Sequence, residues 1–353
     1  MKLINLFGLF LSLTFCISCR QKEARPDMPF IVGDGQIPNL VTDNTGKPHL
    51  VYGKGDSIMY AESGDQGNSF SKSILVAVLP NLFAGAMRGP QIACTKEGLT
   101  ILAANKSGDI YAYWKDESGG WIKISRVNDM DTVAKEGLMA VNGDGKTLFA
   151  VWLDLRNNKH NKIVGARSGD AGKTWSKNML IYDSPDSTVC ECCKPSVAVK
   201  GNNVDVMFRN WLNGNRDLYI IQSHDRGNNF GTAKKLGNGS WTLNGCPMDG
   251  GGITIDAGNN PQTVWRRESR IFACEPGKSE IEIGEGRSCS IESVNGKNVY
   301  AWTENGEVVC VLAQGKKKHL GKGKLPIVKP VNDRHVMCVW ENDNKIYAAL
   351  VEL

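Results

Sequence analysis

After one early continuous stretch, Leu3 to Phe15, the apolar residues of the chain come in short runs that repeat as a three-part unit. Each unit opens on an apolar run, continues into a second run often ending on Trp, and passes through a third into a polar turn. Seven openings begin at Pro38, Pro90, Leu138, Pro195, Gly251, Cys289 and Pro326, and the second runs end at Tyr52, Ala104, Trp152, Phe208, Trp265, Trp302 and Trp340. Short runs bounded by Gly, Pro, Asn and Asp predict β-strands, and a unit repeated this often predicts radial repetition. The last unit has its third strand at Ile346 to Val351 and no fourth, and Pro29-Phe30-Ile31-Val32 is the segment available to supply it. Closure of that kind removes an exposed sheet edge. The fold expected is all-β: a β-propeller of four-stranded antiparallel blades, seven by this count. Six is the alternative, because the last two units are short enough to merge.

Composition agrees. Hydrophobic residues at 41% of 353 supply a sizeable core, and charged residues at 22% exclude a disordered or multi-spanning membrane chain. Lys+Arg 42 against Asp+Glu 37 leaves a net charge of +5, part of it in Arg20 to Arg25 and Lys316 to Lys324, so nucleic acid is not an expected partner. Lys316-Lys317-Lys318-His319 reads as a solvated turn, with contact to a polyanion as its functional alternative.

Leu3 to Phe15 follows a single charge, Lys2, and at about 13 residues is too short to span a bilayer, so residues 1–18 read as a signal peptide. The segment ends Cys16-Ile17-Ser18-Cys19, which resembles the bacterial lipoprotein processing box, in which the cysteine becomes the lipidated first residue. Cys16 stands where that box usually has Leu, and plain secretory cleavage is the alternative. The resemblance implies that Cys19 carries lipid, that residues 19–28 form a tether, and that residues 29–353 form one propeller domain. The chain is then expected in the bacterial cell envelope, anchored to a membrane, facing the periplasm or the outer surface, and acting as a monomer.

Three octets match position by position: Ser63 to Phe70, Ser168 to Trp175 and Ser223 to Phe230, as S-x-D-x-G-x-(S/T/N)-(F/W). In such a turn the Asp can accept N–H bonds, the Gly can take positive φ, and the aromatic can pack between neighbouring sheets. Worn copies stand at Asp116 to Trp121 and Ala273 to Ser279. The octet resembles the Asp box, or bacterial neuraminidase repeat, of sialidase-like β-propellers, with Asp65, Asp170 and Asp225 as its structural aspartates. Such boxes recur in propellers of many activities, so the resemblance implies a fold rather than a reaction. It also implies a geography. Boxes lie between third and fourth strands, opposite a ligand face that receives the loops after second strands and the loops leading into each blade.

That geography gathers Asp154, Arg156, His160, Arg209, Asn210, Trp211, Arg216, Arg266, Arg267, Glu268 and Glu304 from second-strand loops, and Arg88 and Arg287 from loops leading into blades. Sialidases clamp a sugar carboxylate with three arginines, because a planar guanidinium matches a carboxylate bidentately. Arg88, Arg156, Arg209, Arg216, Arg266 and Arg267 are the ligand-binding candidates. The family's reaction also uses a Tyr nucleophile with a carboxylate partner, and an Asp acid. Asp154 and Glu268 are the acid and base candidates, Tyr52 equally fits a strand-end core residue, and the family's Arg-Ile-Pro motif is missing. The function expected is binding of an anionic or glycan ligand on a Cys- and Arg-rich face, without catalysis. An exo-sialidase-type glycoside hydrolase is the alternative.

Two cysteine segments, Cys190-Glu191-Cys192-Cys193 and Cys246-Pro247-Met248-Asp249, lead into neighbouring blades and so share one rim. Disulfides would pin the two loops, for example from Cys246 to one of the triplet. Alternatively the thiolates of Cys190, Cys192, Cys193 and Cys246, with Met248 or His160, would hold copper or zinc, since soft sulfur selects Cu(I) or Zn. Redox thiol chemistry is a third reading. Cys94, Cys310 and Cys338 fall within predicted strands as small core residues, and Cys274 and Cys289 flank one blade as a candidate pair. With Cys16 and Cys19 set aside, nine of the 11 cysteines remain, an odd number that leaves at least one thiol unpaired.

Overall fold

The computed structural model of the protein describes residues 27–116, 118–186 and 188–353. The signal segment, Cys16 and the lipidation candidate Cys19 lie outside the described residues. Seven four-stranded antiparallel sheets form the molecule, and the first strands of successive blades touch all the way round. Blades 1 to 6 span residues 36–78, 91–126, 139–182, 196–235, 251–285 and 287–322. Blade 7 takes residues 324–352 and is completed by Phe30–Asp34, which pairs antiparallel with Lys345–Glu352. The closing strand is therefore the one expected, and the two short units at the end are full blades rather than halves of one. Among the described residues no helix is long and apolar enough to cross a membrane.

The second strands sit between neighbouring blades and are largely buried on both faces. Thr147–Asp154, for example, is buried at every position. The rings expected to end them, Tyr52, Trp152, Phe208, Trp265, Trp302 and Trp340, stand two to four residues short of the strand ends, and each is 2% exposed or less. Truncating one such ring to Ala costs about 3–5 kcal/mol. Outer strands meet solvent instead. The basic run read as a turn is one of them: Lys317–Lys322 is the outer strand of blade 6, with Lys317 paired to Glu304 at 2.6 Å and Lys318 to Asp27 at 2.9 Å. Charges on an edge strand discourage pairing with another chain, and they also mask the strand in the sequence.

The three octets are the turns between third and fourth strands of blades 1, 3 and 4, and they share one bonding pattern. The glycine N–H donates to the serine Oγ, at 2.8 Å from Gly67, 2.8 Å from Gly172 and 3.0 Å from Gly227. The Asp carboxylate accepts the N–H of Ser69, Thr174 and Asn229 at 2.8 to 2.9 Å, and the side chain of the same residue as well. The Asn229 side chain and N–H, then Ser223, hold Asp225 down to about 2. Phe70, Trp175 and Phe230 pack between blades, as expected. Asp116 keeps the carboxylate half of the pattern, accepting from Gly120 N–H at 2.8 Å.

Connections between blades are of two kinds. Single glycines, Gly286, Gly323 and Gly35, join blades 5 to 6, 6 to 7 and 7 to 1, whereas residues 79–90, 127–138, 183–195 and 236–250 form long loops between blades 1 and 5. The glycines are required by space. A Cβ on Gly323 would overlap the Trp340 ring and approach the Glu341 carbonyl to 2.7 Å, and one on Gly286 would lie 2.6 Å from the Trp302 ring. Both also sit at positive φ, 149° and 144°, where L side chains are strained.

Candidate functional site

The two cysteine segments meet on one rim. Cys192 and Cys246 form a disulfide that ties the loop leading into blade 4 to the loop leading into blade 5. Cys246 lies at the exposed edge, while Cys192 and the free thiols Cys190 and Cys193 are buried. Cys190 Sγ is 3.4 Å from Cys193 Sγ and 3.7 Å from Cys192 Sγ, and it accepts a bond from Arg216 Nη1 at 3.0 Å. The hydrogen bond with Cys193 and the Arg216 charge outweigh burial and bring the Cys190 thiol down, whereas burial pushes Cys193 up. Among the described residues, the group of donor atoms within 4.8 Å of one another is Cys190, Cys192 and Cys193, so His160 stands apart. With Cys192 bonded to Cys246, two thiols remain where a structural zinc takes four ligands. A metal held by all four sulfurs requires that disulfide to open.

Three candidate arginines do converge beside the sulfurs. Arg209, 1% exposed, donates to the carbonyls of Arg216 at 2.7 Å, Arg266 at 2.9 Å and Asp249 at 3.4 Å, and so rivets blade 4 to blade 5. Arg216 lies 4.5 Å from the centroid of the Trp211 ring and pairs with Glu191 at 3.4 Å. Arg266 is 3.5 Å from the carboxylate of buried Asp249, whose other task is to accept the Ser288 N–H at 3.0 Å. Burial lowers the pKa of Arg266, with Arg287 and Arg209 adding to the effect against Asp249.

The other three arginines stay apart and are engaged by protein acceptors. Arg88 pairs with Glu136 at 3.5 Å, joining two long loops. Arg156 donates from Nε to Asp154 at 2.8 Å and reaches Asp129 at 3.4 Å. Arg267 pairs with Glu280 at 2.9 Å over the Phe272 ring. The catalytic candidates divide in the same way. Asp154 is fully buried, accepting from Trp152 Nε1 at 2.8 Å as well as from Arg156, so its carboxyl is walled off from any substrate. Tyr52 is also core, and its hydroxyl donates to Ser73 at 2.7 Å. Glu268 is exposed at the turn after the second strand of blade 5. Cys310 and Cys338 are core residues as expected, and Cys94 is half-buried. Cys274 and Cys289 do not pair. Cys274 ends a third strand on the octet side and donates to the Glu275 carbonyl, while Cys289 starts a first strand near the opposite face.

What stays open is a polar groove between blades 5 and 6, lined by Arg266, Glu268, Ser269, Glu285, Arg287, Thr303, Glu304 and Asn305. Arg287 follows Gly286 directly, and its side chain and that of Glu268 are exposed. Among the described residues neither forms an ion pair, and the buried Nε of Arg266 has no hydrogen-bond partner. A second feature escaped the sequence. Lys194, next to Cys193, enters the axial cavity, donates to Gln91 Oε1 at 2.6 Å, and is held down to about 8 by burial and the Lys329 charge. Its one sequence signal is a lysine directly before the proline of a blade opening. Only ring closure brings it opposite Gln91.

A scan of protein-family models gives no match, and a search of curated proteins gives none. Among solved structures the chain is similar to a catalytically inactive virginiamycin B lyase from Staphylococcus aureus, at 12% identity, TM-score 0.56, covering 92% of this chain and 99% of that one. It is also similar to an ulvan lyase, at 10% identity, TM-score 0.54, covering 93% of this chain and 95% of that one. The NanB sialidase from Streptococcus pneumoniae aligns at 14% identity and TM-score 0.45, over 92% of this chain and 70% of that one. At these identities the likeness is one of fold.

Proposed function

We propose that the protein is an envelope-anchored β-propeller that binds an acidic glycan, without cleaving it, in the groove between blades 5 and 6. One observation carries the reading: in one open groove, an exposed guanidinium free of ion pairs, Arg287, stands with Arg266, whose Nε lacks a partner. A sugar carboxylate laid there accepts from the exposed Arg287 guanidinium, the side chain best matched to that group, with the Arg266 charge behind it. Glu268, Ser269 and Asn305 on the same walls suit sugar hydroxyls. The likeness of the octets to Asp boxes supports the class, as does a fold neighbour whose name is that of a polysaccharide lyase. The lipoprotein-like segment ending at Cys19 supports the anchor. Binding is favoured over hydrolysis because Asp154 and Tyr52 are committed to buried bonds.

The test is binding of 3′-sialyllactose and a glucuronate oligosaccharide, with neutral lactose as control, to the wild type and Arg287→Ala. The reading expects binding of at least one acidic sugar, weakened tenfold or more by the substitution at unchanged Tm. Equal binding by Arg287→Ala, or retention of neither acidic sugar, refutes it. Turnover of the sialoside moves the protein to the hydrolase class.

A further inference from the structure

We infer a second site on the same face: Cys190, Cys192, Cys193 and Cys246 form a thiol–disulfide relay that delivers a thiolate at Cys246 for exchange with a disulfide carried by a partner. A loop staple needs two cysteines, and this rim has four. The sulfur at the exposed edge, Cys246, is bonded to Cys192, and directly behind Cys192 stands the free thiol of Cys190, 3.7 Å away. Cys193 waits a further 3.4 Å behind Cys190. Cysteines kept for packing sit among aliphatic side chains, as Cys310 and Cys338 do. Cys190 instead lies in a cluster made of sulfurs, with the guanidinium of Arg216, itself 4% exposed, aimed at it from 3.0 Å. A buried cation beside sulfur stabilises the thiolate, the form that attacks disulfides.

The steps balance without an outside oxidant until the partner is met. Cys190 thiolate attacks Cys192 Sγ, a Cys190–Cys192 bond forms, the Cys192–Cys246 bond breaks, and Cys246 leaves as a thiolate at the surface. Cys193, giving its proton to water, attacks Cys190 and expels Cys192, which takes up a proton. The cluster then holds a Cys190–Cys193 disulfide and two thiols, with no net change in electrons. Cys246 thiolate next attacks the partner disulfide and one partner thiolate leaves. Cys192 attacks the mixed disulfide, restores Cys192–Cys246 and releases the second. Two electrons and two protons pass from the Cys190/Cys193 pair to the partner.

The test uses the native full chain, purified without reductant, held in excess iodoacetamide and mapped by peptide mass spectrometry without reduction. The relay expects carbamidomethyl on Cys246 in chains whose new disulfide is Cys190–Cys192 or Cys190–Cys193, and expects Cys190→Ser to abolish that labelling. The wild-type map decides the matter even where the variant fails to fold. An intact Cys192–Cys246 with Cys246 unlabelled overturns the relay, as does labelled Cys246 in chains where Cys190 has formed no disulfide, or a stoichiometric metal on the four sulfurs. With oxidised glutathione as the disulfide probe, two glutathione thiols appear per chain, and release of none overturns the partner step. Glycan binding is read separately, so either site can fail without the other.

Discussion

The ring has a looped side and a tight side, and they treat arginine differently. Between blades 1 and 5 the chain crosses from blade to blade in long loops, whereas from blade 5 round to blade 1 it crosses on one glycine each time. A long loop must be ordered against its own entropy, and here the ordering groups are ion pairs and a disulfide. Arg88 to Glu136, Arg156 to Asp154, Arg216 to Glu191 and Cys192 to Cys246 all serve loops on that side. A one-residue crossing leaves nothing to order and nothing overhanging the face. Arg287, just past Gly286, is therefore exposed and unpaired. The lesson is that counting arginines on a propeller face overstates its ligand-binding capacity, because loop length decides how many are already engaged.

The largest effect expected breaks the tight side. Gly323→Val places a branched side chain against Trp340 and the Glu341 carbonyl at a positive φ, and should cost about 4 kcal/mol or more in urea unfolding. Gly85→Ala, in a long loop where an added Cβ meets nothing within 4 Å, should stay within about 0.5 kcal/mol. Next comes the staple of the looped side. Cys246→Ser should cost about 2–4 kcal/mol while leaving the β-sheet circular dichroism unchanged.

A smaller effect belongs to blades 1 and 2, joined through Glu62, which accepts from Lys47 at 2.6 Å, Tyr60 at 2.6 Å and Lys115 at 2.9 Å. Burial opposes ionisation there, but the three donors outweigh it and hold the carboxyl down to about 2, against 4.5 when free. The stabilisation is thus fully present above pH 4.5 and is lost as pH falls toward about 2. Glu62→Gln should lower stability at neutral pH by about 1 kcal/mol after solvent screening, with the two unfolding curves converging in acid. Least of all, Arg287→Ala should leave stability within about 0.5 kcal/mol, the signature of a side chain that holds no loop.

Blade openings, the terminal aromatics, the octets and the closing strand were legible because each is written in a few consecutive residues with a local cause. Partners across the ring were not. Arg156 and Asp154 are neighbours in sequence, but Arg88 meets Glu136 only when two loops fold side by side. Cys246 had three partners to choose from within four residues, and the backbone path of two loops selects Cys192. Cys274 and Cys289 flank one blade in the sequence, yet Cys274 ends the third strand of blade 5 and Cys289 lies in the first strand of blade 6, toward the other face of the ring. Lys317–Lys322 was missed because an edge strand covered in lysine has the polarity of a turn. Glu268 and Arg287 were both gathered from the sequence, and that one groove holds them with Arg266 is visible only in three dimensions.

Amide hydrogen exchange, with and without 3′-sialyllactose or a glucuronate oligosaccharide, separates the two sides of the ring directly. Ligand held by the tight side slows exchange in residues 266–269, 285–288 and 303–306 and leaves 183–195 and 236–250 unchanged. Protection confined to 183–195 and 236–250 places the ligand on the looped, cysteine-bearing side and refutes the groove.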